Sequence, residues 1–389
     1  MSGSELPQRS RGVRRGAALT FVFASVLATA AATNSLPRSD EKSPVLPLRA
    51  ASSTVHGDDV ARAAAEAMAD GKSATEAAEE VVSRSGDRWG AVYDKSEYEE
   101  FEQGLDGRYT GVGLAARGAA GGLIEVTRVQ PGAPAARAGV RAGDTVRTVD
   151  GASVAKRPVT EVMALLRGDT RSAPAGSSVV LGLERDGHRW TRTLRRAELT
   201  TEPVTVATLP GGARLIRVEA FTKGTGARVR DAVLDAPGDA GVLLDLRGNG
   251  GGLVSEAVTA ASAFLDGGLV ATYDINGEQR VLNADPGGDT TRPLVVLVDS
   301  GTMSAAELVT GALQDRGRSI TVGARTFGKG SVQMPSKLPD GSVAELTVGH
   351  YRTPAGHGVD GRGITPDVQV SERAQDRART VLSGLGGNG

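Results

Sequence analysis

Apolar and polar positions follow three different patterns along the chain, and each pattern predicts a different kind of structure. From Asp58, Ala-rich sequence with apolar residues at helical spacing predicts two short helices separated at Gly71. Between residues 107 and 198, short Val, Ile and Leu runs alternate with Gly and Pro turns, as expected of a compact β-rich domain with two short helices. After Leu199, apolar runs alternate with helical segments, which predicts buried strands in an α/β core. These runs are residues 213–221, 240–248 and 292–300.

The N-terminus shows a different pattern, in which arginines precede an apolar run. "RSRGVRRG" comes before "AALTFVFASVLATAAA", and this order is typical of a secretory signal within residues 1–32. An uncleaved membrane anchor is the alternative, because the 16-residue run is only slightly shorter than the roughly 20 residues that span a bilayer. A twin-arginine signal at Arg14 and Arg15 fits the following residues less well. Both main readings predict export, to the outside, the cell envelope or the outer face of a membrane.

Composition and charge exclude several kinds of chemistry. Cysteine is absent, which rules out disulfides, thiolate nucleophiles and Cys-based metal sites. The four histidines lie far apart and form no ligand pattern, so no metal and no cofactor is expected. Lys plus Arg number 45 against 46 Asp plus Glu, with no long block of one sign beyond the N-terminus. Nothing in this balance favours nucleic acid as a partner.

The patterns together predict six segments. The helical region ends in an aromatic cluster of Trp89, Tyr93, Tyr98 and Phe101, which we expect to serve core packing rather than ligand binding. The segments are a signal or anchor (1–32), a Ser- and Pro-rich linker (33–53), an N-terminal helical region (54–106), a β-rich domain (107–198), an α/β core (199–375) and a C-terminal tail (376–389) that ends in the disorder-prone "SGLGGNG".

The β-rich domain carries the stretches "GVGL" at Gly111, Val112, Gly113 and Leu114, and "PGAPAARAGVRAGDTVRTVDG" at residues 131–151. These motifs resemble a PDZ domain of exported proteases. The resemblance implies a groove that binds an extended peptide at a sheet edge, with the N–H groups of 111–114 around the terminal carboxylate. A plain glycine turn remains the alternative for 111–114. Arg167 resembles a PDZ residue that in some relatives communicates with the protease core.

A glycine-rich loop follows the second apolar run of the core. In "LLDLRGNGGGL" a buried-type strand ends at residues 247–252, where so many glycines allow backbone N–H groups to face a ligand. Phosphates and oxyanions both bind clustered N–H donors. No Gly-Lys-Ser/Thr sequence follows, which argues against a phosphate loop. A flexible turn is the plainer alternative.

A serine and a lysine further along the chain suggest nucleophilic chemistry. Ser304 and Glu307 form the pattern of a capping box at the start of the amphipathic segment "AAELVTGALQDRG", so a purely structural cap is one reading. Lys329 lies between two glycines in "TFGKGSVQ", with apolar neighbours, although a lysine in a surface hairpin is also common. The second reading makes Ser304 a nucleophile and Lys329 its base.

Four motifs in order, "LLDLRGNGGGL", "VLVDSGTMSAAELVTGALQD", "VGARTFGKGSVQ" and "YRTPAGHGVDGRGITPDV", resemble the C-terminal processing (tail-specific) proteases, serine endopeptidases with a Ser-Lys dyad. The resemblance covers about residues 55 to 372. It implies a multidomain α/β fold, with a crotonase/ClpP-like protease core, an inserted PDZ-like domain and an N-terminal helical region. The loop Gly248–Gly252 departs from the family's common Asn-Asn-Pro-Gly-Gly.

The same resemblance assigns roles to individual residues. Ser304 stands at the nucleophile, Lys329 at the general base 25 residues on (329 − 304), and Gln333 at the residue that orients the lysine. A lysine with an ordinary pKa of about 10.4 can act as a base only where burial disfavours its charge. Gln333 can accept a hydrogen bond without adding a charge. The oxyanion hole would be formed by the N–H groups of Ala305 and of Gly252, or alternatively Gly251.

The function that follows is an exported serine endopeptidase whose PDZ-like domain binds unfolded or apolar protein C-termini. Membrane association through the N-terminal segment and self-association are further expectations from the sequence and the family. Peptide binding to the PDZ-like domain could favour a competent arrangement of the active site. Two alternatives remain: a catalytically silent peptide-binding scaffold of the same fold, and a hydrolase of small esters, which would leave the peptide-binding domain unexplained.

Overall fold

The computed structural model describes residues 57–169, 171–238, 240–275 and 278–386. These residues form two compact units, one made of residues 100–203 and the other of residues 57–99 together with 204–386. The predicted signal or anchor and the predicted linker lie outside the described residues. None of the described helices combines the length and the apolar character that crossing a membrane requires.

The larger unit contains a six-stranded sheet in which every pair except the first is parallel. The strand order is β10-β11-β12-β15-β16-β19. The strands are β10 (Val204–Thr208), β11 (Arg214–Val218), β12 (Val242–Asp245), β15 (Leu294–Val298), β16 (Ile320–Gly323) and β19 (Val368–Gln369). The central strands β12 and β15 are buried on both faces, which explains their continuous apolar runs.

Helices cover both faces of this sheet. Leu244 and Val296 point into the main core, whereas the neighbouring Leu243 and Val295 point into a second cluster with Leu382. Helices α6, α7 and α8 contribute to the main core, and α9 lies on the other face. The helices are α6 (Thr225–Leu234), α7 (Val254–Ser262), α8 (Ala305–Asp315) and α9 (Ala374–Gly384).

A second, five-stranded sheet completes the larger unit, with order β1-β18-β13-β14 and β17 paired to β18. Its strands are β1 (Ala91–Tyr93), β13 (Leu269–Ile275), β14 (Glu278–Asn283), β17 (Ser331–Lys337) and β18 (Val343–Arg352). The predicted N-terminal helices are α1 (Gly57–Ala69) and α2 (Ala74–Arg84). Their apolar faces pack on β17 and β18 through residues such as Val60, Val82 and Leu346.

The smaller unit is built on the order β3-β4-β5-β7-β8, with β6 on β5 and a separate pair β2-β9. Val126, Val162 and Leu181 are among its fully buried residues. Helix α3 (Lys95–Leu105) crosses the boundary between the two units. The other elements are β2 (Arg108–Gly111), β3 (Leu114–Ala119), β4 (Leu123–Val129), α4 (Pro134–Arg137), β5 (Thr145–Val149), β6 (Ala152–Ser153), α5 (Val159–Leu166), β7 (Ser178–Arg185), β8 (His188–Arg195) and β9 (Ala197–Thr200).

The C-terminus corrects one expectation. Residues 376–389 were expected to be a tail, but α9 extends to Gly384 and buries Ala378 and Leu382. Leu382 lies so close to Gly241 that a Cβ there would meet its side chain at 2.9 Å. The spacing of Ala378, Val381 and Leu382 gives α9 an apolar face, and the exposed side of the parallel sheet needs such a cover.

Candidate active site

The carboxyl ends of β12 and β15 bring the glycine-rich loop and Ser304 together, because parallel strands end at the same edge of a sheet. Two hydrogen bonds fix the loops to each other. The Thr302 hydroxyl, fully buried, donates to the Leu246 carbonyl oxygen at 2.9 Å. The Met303 N–H donates to the Asn249 carbonyl oxygen at 2.9 Å.

Ser304 has a backbone conformation that residues other than glycine rarely adopt. Its φ is 55° and its ψ is −118°, immediately before the first residue of α8. Such a backbone costs about 1–3 kcal/mol and persists where surrounding contacts determine it. The contacts in this case come from Glu307 and Tyr351. The helix start points the positive end of the α8 dipole at the serine.

Glu307 is fully buried and accepts hydrogen bonds from both halves of the site. Its carboxylate receives the N–H groups of Ser304, Gly328 and Lys329 at 3.0, 2.8 and 2.9 Å, and the Thr326 hydroxyl at 2.5 Å. Burial raises the pKa of Glu307 above its ordinary value, while these hydrogen bonds oppose the rise. The Ser304 contact is the Glu307 half of the predicted capping box. The other three contacts join α8 to the lysine loop.

Tyr351 makes a second connection between the serine and the lysine. Its hydroxyl lies 2.8 Å from the Ser304 carbonyl oxygen and 3.2 Å from that of Lys329, so its single proton can be shared between the two acceptors. The ring is almost completely buried at the end of β18. Burial first, and the charges of Glu307 and Asp360 second, raise the pKa of Tyr351 well above its ordinary value. Tyr351 therefore stays a neutral donor.

The Lys329 side chain lies in a different environment. Its Nζ lies 5.0 Å from the ring centroid of Trp89. Burial lowers the pKa of Lys329 below its ordinary value, and the nearby carboxylates of Glu345 and Asp87 oppose that shift. Within the described part of the chain, Nζ makes no hydrogen bond to Ser304 Oγ and no ion pair.

Gln333 follows Lys329 closely in the sequence and lies in β17, at a bulge of that strand. Its Nε2 donates to Ser331 Oγ at 3.0 Å and lies 3.5 Å from Thr347 Oγ1. Thr347 Oγ1 in turn donates to Asp87 Oδ1 at 2.8 Å. Gln333 is therefore close to Lys329 in the sequence, and its amide N–H groups are directed at the hydroxyls of Ser331 and Thr347.

The backbone N–H groups predicted to form the oxyanion hole differ in whether they already donate a hydrogen bond within the protein. The Gly251 N–H donates to the Asn249 side-chain oxygen at 2.9 Å, which makes Gly251 the weaker alternative. Among the described residues, the N–H groups of Gly252 and Ala305 donate to no protein acceptor. A Cβ on Gly252 would meet the Phe221 carbonyl oxygen at 2.4 Å, and its φ is +131°, so glycine is required there.

In the smaller unit, Gly111–Leu114 lead from β2 into β3. Val112 and Leu114 are buried in the core of the unit, so only their backbone can face a ligand. Gly113 has a φ of +78°, and a Cβ on it would meet the Ala133 side chain at 2.2 Å, so glycine is required there. Arg167 Cζ lies 5.6 Å from the Tyr109 ring centroid, and burial lowers its pKa.

Two residues at the site were not assigned a role from sequence. Tyr351 stands in the last of the four motifs, but nothing in its spacing points to Ser304 or Lys329. Trp89 belongs to the aromatic cluster, where core packing was expected. The structure places Trp89 against Phe327, at a ring distance of 5.7 Å, and against Lys329, whereas Tyr93 pairs with Tyr98. In the described residues no cluster of His, Asp or Glu could hold a metal.

Comparison with known proteins agrees with this architecture. The family model Peptidase family S41 matches residues 214–370, and a PDZ domain model matches residues 125–185. The chain is 40% identical over 290 residues to the chloroplastic C-terminal processing peptidase of Tetradesmus obliquus. The aligned region covers 69% of this chain and 61% of that protein. It is 32% identical over 289 residues to the carboxy-terminal processing protease CtpA of Bacillus subtilis (strain 168), with 73% and 61% covered.

A solved structure, the photosystem II D1 C-terminal processing protease, is 34% identical, with 81% of this chain and 86% of that chain covered and a TM-score of 0.51. The chain therefore belongs to the PDZ-containing C-terminal processing group of peptidase family S41, a group of serine peptidases. It spans about three fifths of the length of the two curated relatives. The expected α/β fold with a PDZ domain is confirmed.

Proposed function

We propose that this protein is an exported serine endopeptidase that cleaves protein substrates near their C-termini through a Ser304-Lys329 dyad. One observation carries the proposal. Glu307 binds the N–H groups of both Ser304 and Lys329, so two residues far apart in sequence belong to one buried hydrogen-bonded cluster. The names of the relatives, which describe C-terminal processing, support the same substrate class.

The proposed reaction begins with a neutral Lys329, which the lowered pKa favours. Lys329 takes the proton of the Ser304 hydroxyl as Oγ attacks the carbonyl carbon of the scissile peptide bond. The N–H groups of Gly252 and Ala305 stabilise the oxyanion that forms, with the α8 dipole adding to their effect. The lysine then gives its proton to the leaving amine, an acyl-enzyme remains on Ser304, and water attacks it to release the product. Gln333 orients the amine in this scheme.

The smaller unit would recruit the substrate. Strand β3 pairs only with β4 in the described sheet, which leaves one edge for an added peptide strand. Within this unit as described, the N–H groups of Val112 and Gly113 donate to no protein acceptor, and they fit a terminal carboxylate. Unfolded proteins with apolar C-termini are the proposed substrates. Arg167 as a link to the protease core remains a prediction.

Export rests on the N-terminal sequence alone, through either a cleaved signal or an anchor in residues 1–32. The anchor would associate the enzyme with a membrane. Self-association is likewise a prediction that follows from the family resemblance.

The test is cleavage of an unfolded protein with an apolar C-terminus from about pH 6 to 10. Ser304→Ala and Lys329→Ala should each abolish cleavage, and the rate of the parent should rise toward alkaline pH. Ser255→Ala and Lys337→Ala are matched controls, because both side chains are exposed, and they should cleave at the parent rate. Cleavage that survives in either dyad variant would contradict the proposal.

A silent peptide-binding scaffold is the second candidate. The observation that favours it is the position of Lys329 Nζ, which lies on Trp89 and makes no hydrogen bond to Ser304 in the described structure. If the parent binds the apolar C-terminal peptide but never cleaves it, the scaffold replaces the protease proposal.

A further inference from the structure

Trp89 reaches the lysine from a distant part of the chain. It follows α2 and lies in the turn that leads to β1, whereas Lys329 precedes β17. Its ring centroid lies 5.0 Å from Lys329 Nζ and 5.7 Å from the ring centroid of Phe327, at an interplanar angle of 58°. A cation within about 6 Å of an indole centroid is attracted by its negative face. The ring is therefore a close partner of the amine.

Asp87 anchors this turn to the protease core. Its carboxylate accepts the Thr347 N–H and the Thr347 hydroxyl, both at 2.8 Å, across 260 residues of sequence. The same carboxylate accepts the N–H groups of Trp89 at 3.1 Å and Gly90 at 3.0 Å. One side chain therefore closes the turn and attaches it to β18, which fixes Trp89 relative to the lysine.

We propose that Trp89 is a positioning residue for Lys329, so that the Asp87–Trp89 turn of the N-terminal region forms one wall of the active site. This inference rests on the proposed Ser-Lys chemistry and assigns a further residue to it. It gives the N-terminal region a part in the reaction besides packing.

The physical reason lies in the flexibility of lysine. A lysine side chain is flexible and loses rotamer entropy when it is held, and a base must be held at one point to act. No described hydrogen bond holds Nζ, so the Trp89 ring and the burial of the side chain restrict it. The ring also keeps water from one side of the amine, and burial is the main cause of the lowered pKa of Lys329.

Other charged groups act at the same place. Arg88 Cζ lies 4.7 Å from the Trp89 centroid and shares the ring with Lys329. Glu345 on β18 and Asp87 raise the pKa of the lysine, in opposition to burial. Tyr93, on β1, has its pKa raised to about 12 by burial and by Glu345, so it stays neutral while the lysine titrates.

The turn also bears on Gln333. Because the Thr347 hydroxyl gives its proton to Asp87, its oxygen can only accept from Gln333. The Gln333 amide must then present Nε2 to Thr347, which leaves its carbonyl oxygen as the end that can accept from the amine. Asp87 thereby supports the orientation that a neutral lysine needs.

Tryptophan fluorescence can test the contact directly. The chain has two tryptophans, and the other one, Trp190, belongs to the smaller unit and lies under Arg185. In the full chain with Trp190→Phe, the emission of Trp89 should change with a midpoint below the ordinary lysine value of about 10.4. The same step should disappear when Lys329→Met is added. A step that survives Lys329→Met would overturn the proposal, and this measurement leaves Trp89 in place, so misfolding of a Trp89 variant cannot obscure it.

A kinetic readout tests the positioning. A fluorophosphonate that labels Ser304 reports the reactivity of the serine directly, because its reaction does not require a peptide to bind the smaller unit. Trp89→Ala should slow labelling at neutral pH by about 10- to 100-fold. The alkaline rise of the pH profile should move to higher pH, because the water that reaches the amine raises its pKa by more than the lost attraction to the ring lowers it. Trp89→Phe, which keeps a ring, should remain within about threefold of the parent. Trp190→Phe should match the parent.

The outcomes separate the two proposals. Absence of labelling of Ser304 in the parent would contradict the proposed function itself. Normal labelling in the parent, with the same rate and pH profile in folded Trp89→Ala, would contradict only the role of Trp89.

Discussion

The serine and the lysine of the proposed dyad are held in opposite ways. Ser304 sits in a strained turn, fixed by Glu307 at its N–H and by Tyr351 at its carbonyl oxygen. Lys329 has its backbone fixed by the same two residues, but its Nζ has an aromatic ring for a partner. The serine side depends on hydrogen-bond geometry, whereas the lysine side depends on burial and on nearby charge.

This difference predicts different kinds of variant. Changes on the serine side should lower the maximal rate at every pH, because they misplace the reacting atoms. Changes around the lysine amine should move the pH profile, because they alter the balance between its charged and neutral forms.

Gly252→Ala should have the largest effect. The new Cβ would meet the Phe221 carbonyl oxygen at 2.4 Å in a backbone with φ of +131°, so the loop must shift and take the proposed N–H donor with it. Loss of one oxyanion donor costs about 10²- to 10³-fold in rate. Gly317→Ala is the control, because Gly317 also has a positive φ but open space around it. Equal peptidase rates in the two variants would remove Gly252 from the site.

Glu307→Gln should come next. An amide keeps the shape, but its NH₂ group would face donors that the carboxylate now accepts from. We expect a rate lower by about 10- to 100-fold at all pH values, and a free energy of unfolding lower by about 1–3 kcal/mol. Glu66→Gln, at an exposed helical position, should change neither quantity. A Glu307 variant whose only change is a shifted pH profile would place Glu307 on the lysine side instead.

Tyr351→Phe should have a smaller effect, because it removes a hydroxyl and leaves the ring. The carbonyl oxygens of Ser304 and Lys329 would lose a donor, at a cost of about 1 kcal/mol in the free energy of unfolding. The maximal rate should fall by about three- to tenfold, with the midpoint of the pH profile unchanged. Tyr273→Phe on β13 is the matched control. Denaturant unfolding and kcat measure the two effects, and a Tyr351 variant identical to that control would contradict the bridging role.

Glu345→Gln tests the lysine side and should have the smallest effect. The Glu345 carboxylate raises the pKa of Lys329, so its removal should lower that pKa and increase the neutral fraction near neutral pH. The activity at pH 7 should therefore rise, by about two- to fivefold, while the alkaline plateau stays the same. Glu278→Gln, at an exposed position, should leave the profile in place. A profile that moves to higher pH would show that Glu345 acts by some means other than its charge.

Sequence patterns predicted the parts of the molecule in which local signals decide the structure. The buried strands, the two N-terminal helices and the helix after Ser304 all follow from apolar spacing and capping residues. The family and its PDZ domain followed from motifs. Apart from the C-terminal segment, the domain boundaries stay predictions, and so do the catalytic roles.

The contacts that local patterns could not predict are those between distant segments. Tyr351 meets Ser304 across 47 residues, and Asp87 meets Thr347 across 260, and no periodicity encodes either pair. The prediction of a tail over residues 376–389 was wrong for the same reason. The apolar face of α9 can be interpreted only when the side of the parallel sheet that it covers is known. For Trp89 the sequence likewise predicts only core packing, because its contact with Lys329 joins segments that lie far apart in the chain.

The most direct test of the dyad is the rate of Ser304 labelling by a fluorophosphonate, measured from about pH 6 to 10 in the parent and in Lys329→Ala. The dyad predicts a sigmoidal rise in the parent, with a midpoint below the ordinary lysine value of about 10.4, and a slow rate without that rise in the variant. Identical profiles in the two proteins would show that Lys329 is not the base.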